Sequence, residues 1–128
     1  MIGPDDVLPC LADACPSITA HLRAENELDA ELLYITAAAV ARMMLARLEQ
    51  NDPEVEGGFV FIERLHTEGD EYVRELATIG FLESLWTPDD PAVMAAVERR
   101  LGAESRRWRK GLLAFWSGDA PLVLAVDD

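Results

Sequence analysis

Cysteine is nearly missing from this chain, which has two in 128 residues. Cys10 and Cys15 are five positions apart, so on one helix they would point about 140° apart, too divergent for an easy disulfide. No second cysteine pair completes a zinc site, and two free thiols fit a reducing compartment. Basic residues are also scarce, at 11 against 24 acids, for a net charge of −13. That balance excludes a generic nucleic-acid binder, which must neutralise phosphates, and a polybasic membrane anchor. Long apolar runs are absent. The longest uncharged stretch, Leu32 to Ala41, is too short to span a bilayer. The start, Met-Ile-Gly-Pro-Asp-Asp, has neither a basic segment nor a signal-type apolar core, so the expected location is the cytoplasm. Walker, dinucleotide-binding, nucleophile-elbow and His-Glu-x-x-His motifs are all lacking.

What remains is a single globular domain's worth of chain, half of it hydrophobic. Charge is unevenly spread. Residues 1–98 hold five basic and 20 acidic side chains, and residues 99–128 hold six and four. Ten of the 11 basic residues are arginine.

Helical periodicity recurs throughout, and Pro, Gly and Asn fall between the periodic segments. The spacing predicts a helix from Asp5 to Ala14, then a short one capped by Ser17 after Pro16. A long helix, apolar on more than one face, follows from Asp29 to Asn51. A tight hairpin spans roughly 56–67 and 70–86, with Gly69 as its stop and Asp70 as the next N-cap. Asp90-Pro91 reads as a cap followed by a first-turn proline, and a last helix runs from Ala103 to Ser117 with Trp108, Leu112, Phe115 and Trp116 on its apolar face. The predicted fold is all-α, one domain over residues 1–118 with about six or seven helices. Residues 119–128 form a short extended tail that could act as a strap or pair with a partner. Successive hairpins leave HEAT-like stacking open, although no repeat of fixed period is found.

The densest polar stretch is Glu63 to Glu75. Glu63 and His66 share a helix face, the spacing used by carboxylate-bridged metal bundles. His21 with Glu25 is the remaining pair from which a metal-dependent enzyme could be built. The plainer expectation is that His66 closes its helix as a donor or cation. In the same way, Asp70, Glu71 and Glu75 would complement a helix N-terminus, with Arg74 placed to pair with Asp70. Cys15 and His21 could be drawn as a dyad, but nothing would activate the thiol. The basic run Arg99-Arg100 and Arg106 to Lys110 mixes cations with Trp108. It is expected to dock on the acidic body, with phosphate or RNA contact as the alternative.

A resemblance adds to this. Phe61 to Asp70, Tyr72 to Glu75 and Thr78 to Glu83 form its middle. Leu8-Pro9-Cys10-Leu11, Cys15-Pro16-Ser17, Gly102 to Trp108 and Phe115-Trp116 flank it. Together these resemble a family of short, all-helical bacterial proteins known as a domain of unknown function, over most of residues 7–118. The chain departs from that pattern at Trp86-Thr87 and after Gly118. Small acidic proteins of this kind also resemble, more loosely, immunity proteins of polymorphic toxin systems. The resemblance implies no catalytic residue and no cofactor. Small size, an all-α build, strong acidity and the lack of a catalytic motif, taken with this likeness, point to a protein that occludes a basic toxin such as a nuclease; Glu68, Asp70, Glu71 and Glu75 are the expected contacts, with Trp86 as an aromatic anchor. A HEAT-like scaffold or regulatory module is the alternative.

Overall fold

Apolar periodicity sets out the helices along the chain, and Pro, Asn and Gly set their limits. In the structure, a computed structural model describing residues 1–127, these are α1 (Val7–Ala14), α2 (Pro16–Ala24), α3 (Leu33–Leu48), α4 (Glu54–Glu68), α5 (Glu71–Glu75), α6 (Pro91–Arg100) and α7 (Ala103–Trp116). A 3-10 turn, Pro4–Asp6, precedes α1, and α5 runs directly into a π-helical segment, Leu76–Leu82. Among the described residues no strand forms. One isolated parallel bridge joins Ile2 to Gly69, with the Ile2 N–H donating to the Glu68 carbonyl at 2.7 Å and the Asp70 N–H to the Ile2 carbonyl at 2.9 Å.

Two caps sit where the sequence puts them. Asp70 accepts from the Val73 N–H at 2.8 Å and Asp90 from that of Val93 at 3.2 Å. Other boundaries move. Ser17 is not the cap of α2; the Glu54 carboxylate, on α4, accepts from the Ser17 and Ile18 N–H groups at 3.2 and 2.7 Å. The third helix starts at Leu33, four residues after Asp29. There Thr36 Oγ1 takes the Asp29 N–H at 3.0 Å and donates back to its carbonyl at 3.1 Å, which holds the preceding turn out of the helix. Asn26 and Asn51, at φ 57° and 55°, end α2 and α3 in the left-handed conformation that asparagine tolerates.

The helix after Asp70 also departs from plain α geometry. It widens over Leu76–Leu82, where the Thr78 hydroxyl donates to the Arg74 carbonyl and Gly80 lets α3 approach, its Ala37 lying against the glycine. Such side-chain bonds to the previous turn disturb regular helix.

α4 is the centre of the bundle. It packs on α1, α3, α5 with its π segment, and α7. Because α1 and α7 both reach α4 across intervening helices, this is a bundle with one core and not a nearest-neighbour stack. Leu11, Ile18, Leu22, Val40, Met44, Ile62, Leu65 and Leu76 fill that core, with Phe61 and Phe81 meeting edge to face at 5.6 Å. Met43 is only half-buried. Phe115 and Trp116 stay exposed, so the apolar face of α7 is shorter than its sequence implies.

The tail takes the strap form. Over residues 119–127 it turns back along α7, where the Val126 N–H donates to the Arg107 carbonyl at 3.0 Å and Asp127 pairs with Arg107 at 2.8 Å. Gly111 makes the crossing possible, since a Cβ there would run into the Leu124 carbonyl. Val123 packs inward while Leu122, Leu124 and Val126 face out. Asp128, the last tail residue, lies outside the described residues.

Candidate functional site

The Glu63–His66 pair is used for construction. Glu63 receives the Glu104 N–H at 3.0 Å, the Ser105 N–H at 2.8 Å and the Ser105 hydroxyl at 2.8 Å, and so caps α7 from outside. Gly102 leaves room for that carboxylate. Burial works against the Glu63 anion, but these donors outweigh it and hold its pKa below the usual glutamate value. His66 lies one turn on and is buried at 3% exposure. Its Nδ1 is 2.9 Å from Ser105 Oγ and its Nε2 3.0 Å from Thr78 Oγ1, with the ring stacked on Trp108 at 6.2 Å.

Burial pushes the His66 pKa down to about 4, against the pull of Glu63 and Glu104. The ring is therefore neutral near pH 7, so of the two roles expected at this helix end, donor or cation, the cation is corrected. A neutral ring donates once and accepts once. One hydroxyl must then turn its proton to the ring and away from its other acceptor, the Arg74 carbonyl for Thr78 or Glu63 Oε1 for Ser105.

Ser, His and Glu are together here, yet not as a catalytic triad. The carboxylate binds the serine and not the imidazole, and Ser105 and His66 are both buried. The other metal candidates, His21 and Glu25, are exposed on and just after α2. No group of three or more His, Cys, Asp or Glu suited to a metal occurs among the described residues. The cysteines are free. Burial, then the nearby Glu54 carboxylate, raises the Cys15 thiol to about 12, which removes it as a nucleophile.

Directly outside this network lies a groove of about 260 Å³ between α5 with its π segment, α7 and the strap. Glu71, Arg74 and Glu75 line one side, Trp108, Val123 and Leu124 the other. The Trp108 indole N–H is buried without a hydrogen-bond partner. Glu75 also accepts from the Tyr34 hydroxyl at 3.3 Å, and Tyr34 meets the exposed Tyr72 edge to face at 6.2 Å. Burial and the Glu75 carboxylate raise the Tyr34 phenol to about 12. Arg74, Glu71 and Glu75 form no ion pair among the described residues, so the Asp70–Arg74 pairing is not made; Asp70 spends its carboxylate on its cap.

The five residues singled out from the sequence thus separate. Glu71 and Glu75 share the groove. Glu68 is paired with Arg64 at 2.8 Å, and Asp70 is structural. Trp86 lies in a different cluster, half-buried, 5.6 Å from Trp116, with the Arg109 guanidinium 5.3 Å from its ring centre.

The model of one family, described as Domain of unknown function (DUF7674), matches residues 8–117. The chain belongs to that family. The matched span runs from the first turn of α1 to just past α7, so it includes the α5 wall of the groove and Trp108 of the other wall, but not Val123 and Leu124. The strap lies beyond the DUF7674 segment. Comparison with curated proteins and with solved structures gave no match.

Sequence reasoning missed Thr78, Ser105, Trp108 and the strap residues as groove and network members. Thr78 and Ser105 had one available signal: each is a polar residue at a core position of a periodic helix, and such residues usually have a polar partner.

Proposed function

We propose that this DUF7674 chain is a non-enzymatic, cytoplasmic binding protein that captures a basic protein partner, a cognate bacterial toxin, and blocks it by occlusion. The observation that carries the reading is the face around the α5 groove. Two carboxylates that form no ion pair among the described residues, Glu71 and Glu75, outnumber Arg74 on their wall and stand beside the exposed side chains of Tyr72 and Leu124. A net acidic wall next to exposed aromatic and apolar surface suits a cationic protein, with charge steering the encounter and apolar contact holding it. A net charge of −13 extends the same field over the molecule. A standard interface needs about 800 Å² from each side, roughly an eighth of this chain's 6885 Å² surface. A catalytic centre is not needed for this role, and the set formed by buried His66 and Ser105 with half-buried Glu63 serves to dock α7.

Capture from source-cell lysate with the wild-type chain and with E71K/E75K in parallel tests this. The expected result is one basic partner, at least tenfold depleted by the double reversal, whose toxicity the wild-type chain suppresses. A partner held equally by both forms would move the interface elsewhere, and a partner without toxicity would favour a regulatory module.

A further inference from the structure

We propose, resting on the reading of a basic protein partner, that this partner enters the α5 groove as an extended segment. The segment pairs with the free backbone edge of the strap and sets alternate lysine or arginine side chains against Glu71 and Glu75.

The strap is built like an edge strand. Leu122, Leu124 and Val126 are exposed while Val123 and Ala125 are half-buried, which is the two-residue period of extended chain. In such chain the N–H and C=O of one residue point to one side and those of the next residue to the other. Leu124 and Val126 turn theirs toward α7. The Leu124 carbonyl lies over Gly111, and the Val126 N–H donates to the Arg107 carbonyl. Val123 and Ala125 therefore turn theirs away from α7. Among the described residues none of these four groups has a hydrogen-bond partner. An unpaired edge of this kind is a template for a further extended segment. Val123 and Leu124 also line the groove, so the edge borders it. Trp108, in the same wall, keeps a buried indole N–H without an acceptor, so donors are unmet on both the strap and α7.

The groove selects the segment. At about 260 Å³ it is smaller than most small-molecule sites, so it suits side chains of a larger partner better than a whole ligand. The α5 wall carries two acids, Glu71 and Glu75, against one cation, Arg74. The acids are four residues apart, about 6 Å along the helix. Side chains on one face of a strand recur about every 6.6 Å. A segment with a cation at every second position thus offers one to each carboxylate, and the residues between them can rest on Ile79 and Trp108. A second copy of the chain is disfavoured as the occupant, because two molecules of charge −13 repel.

The probe is a fluorescent seven-residue peptide in which lysine alternates with valine. One control has the same composition with its lysines adjacent, and another is the alternating peptide N-methylated at every residue, which removes its backbone donors. Anisotropy titrations use the wild type, E71Q/E75Q and R74Q. The expected result is saturable 1:1 binding of the alternating peptide, weakened at least tenfold by N-methylation and by E71Q/E75Q, weakened at least fivefold with adjacent lysines, and tightened in R74Q. Hydrogen exchange at the Val123 and Ala125 amides should slow at least tenfold in the complex. Equal binding of the N-methylated peptide, with loss in E71Q/E75Q, would overturn strand addition and leave the acidic face as the contact. Binding of no peptide, or binding indifferent to E71Q/E75Q, would overturn this inference and the basic-partner site together. Dimers of the free chain with those two amides protected would overturn it in favour of a second copy.

Discussion

On α4, Glu54 and Glu63 each reach across to the first turn of another helix, α2 and α7 respectively, and take two backbone N–H groups apiece. On α5, Glu71 and Glu75 line a groove, and among the described residues their side chains take one hydrogen bond, from the Tyr34 hydroxyl to Glu75 at 3.3 Å. The residue type is the same and the helices are consecutive. The difference lies in what each carboxylate faces. The first turn of a helix offers unsatisfied donors and a positive dipole end, and a glutamate that meets one becomes part of the frame. A glutamate that meets solvent stays available to a partner. Acid content alone therefore says little about function in this chain; the distinction is made by packing.

The sharpest way to break the comparison is Glu63→Ala. It strands two backbone donors and a buried hydroxyl, and should cost about 2–4 kcal/mol. Glu63→Gln, which keeps an acceptor, should lose clearly less. Urea unfolding curves read both. A loss under about 0.5 kcal/mol for the alanine would put Glu63 in the same class as Glu71, and the cap would lose its structural role.

The buried half of the comparison also has a pH signature. The folded pKa of His66, about 4, lies below the ordinary value of 6.5. Between those values the unfolded chain binds a proton that the folded chain does not, so stability is fully present above pH 6.5 and falls as pH falls. The expected loss is about 2 kcal/mol by pH 5. Glu63 and Glu68, whose pKa values are lowered, act further down, so the interval from 6.5 to 5 isolates the imidazole. In His66→Gln the slope over that interval should disappear, whatever the variant's absolute stability. A slope that persisted would assign the effect to other groups.

Glu54→Ala comes next, at about 1–2 kcal/mol, because one of its two donors, the Ser17 N–H, is exposed. It also bears on how much of the fold can be read from sequence. Asp70 and Asp90 cap the helices they precede, and both were legible because donor and acceptor are three residues apart. Glu54 caps a helix that began 38 residues earlier, and Glu63 one that begins 40 residues later, so neither leaves a local pattern. Helix number, the Gly69 break and most of the core followed from periodicity, which local sequence carries. The π segment and the strap depend on Gly80 and Gly111 meeting other elements, and those meetings exist only after folding. The candidate site was half visible for the same reason. Glu71 and Glu75 stood out as acids, while Trp108 and Val123 reach the groove from a helix and a strap remote in sequence.

The smallest effect expected is on the exposed side. Glu71 and Glu75 are like charges one turn apart and repel by a few tenths of a kcal/mol. Glu71→Gln should therefore leave stability unchanged or raise it by about 0.2–0.5 kcal/mol, more at 10 mM salt than at 500 mM, since screening removes the repulsion. Glu75→Gln should gain less, because the carboxylate also receives the Tyr34 hydroxyl. Thermal unfolding at the two salt concentrations separates them. If either glutamine costs more than about 1 kcal/mol, that glutamate is a frame residue like Glu63. The α5 face would then have no acid to spare for a basic partner, and the binding reading would lose its footing there. If both are neutral or stabilising, the chain keeps two acids on α5 that its own fold does not use.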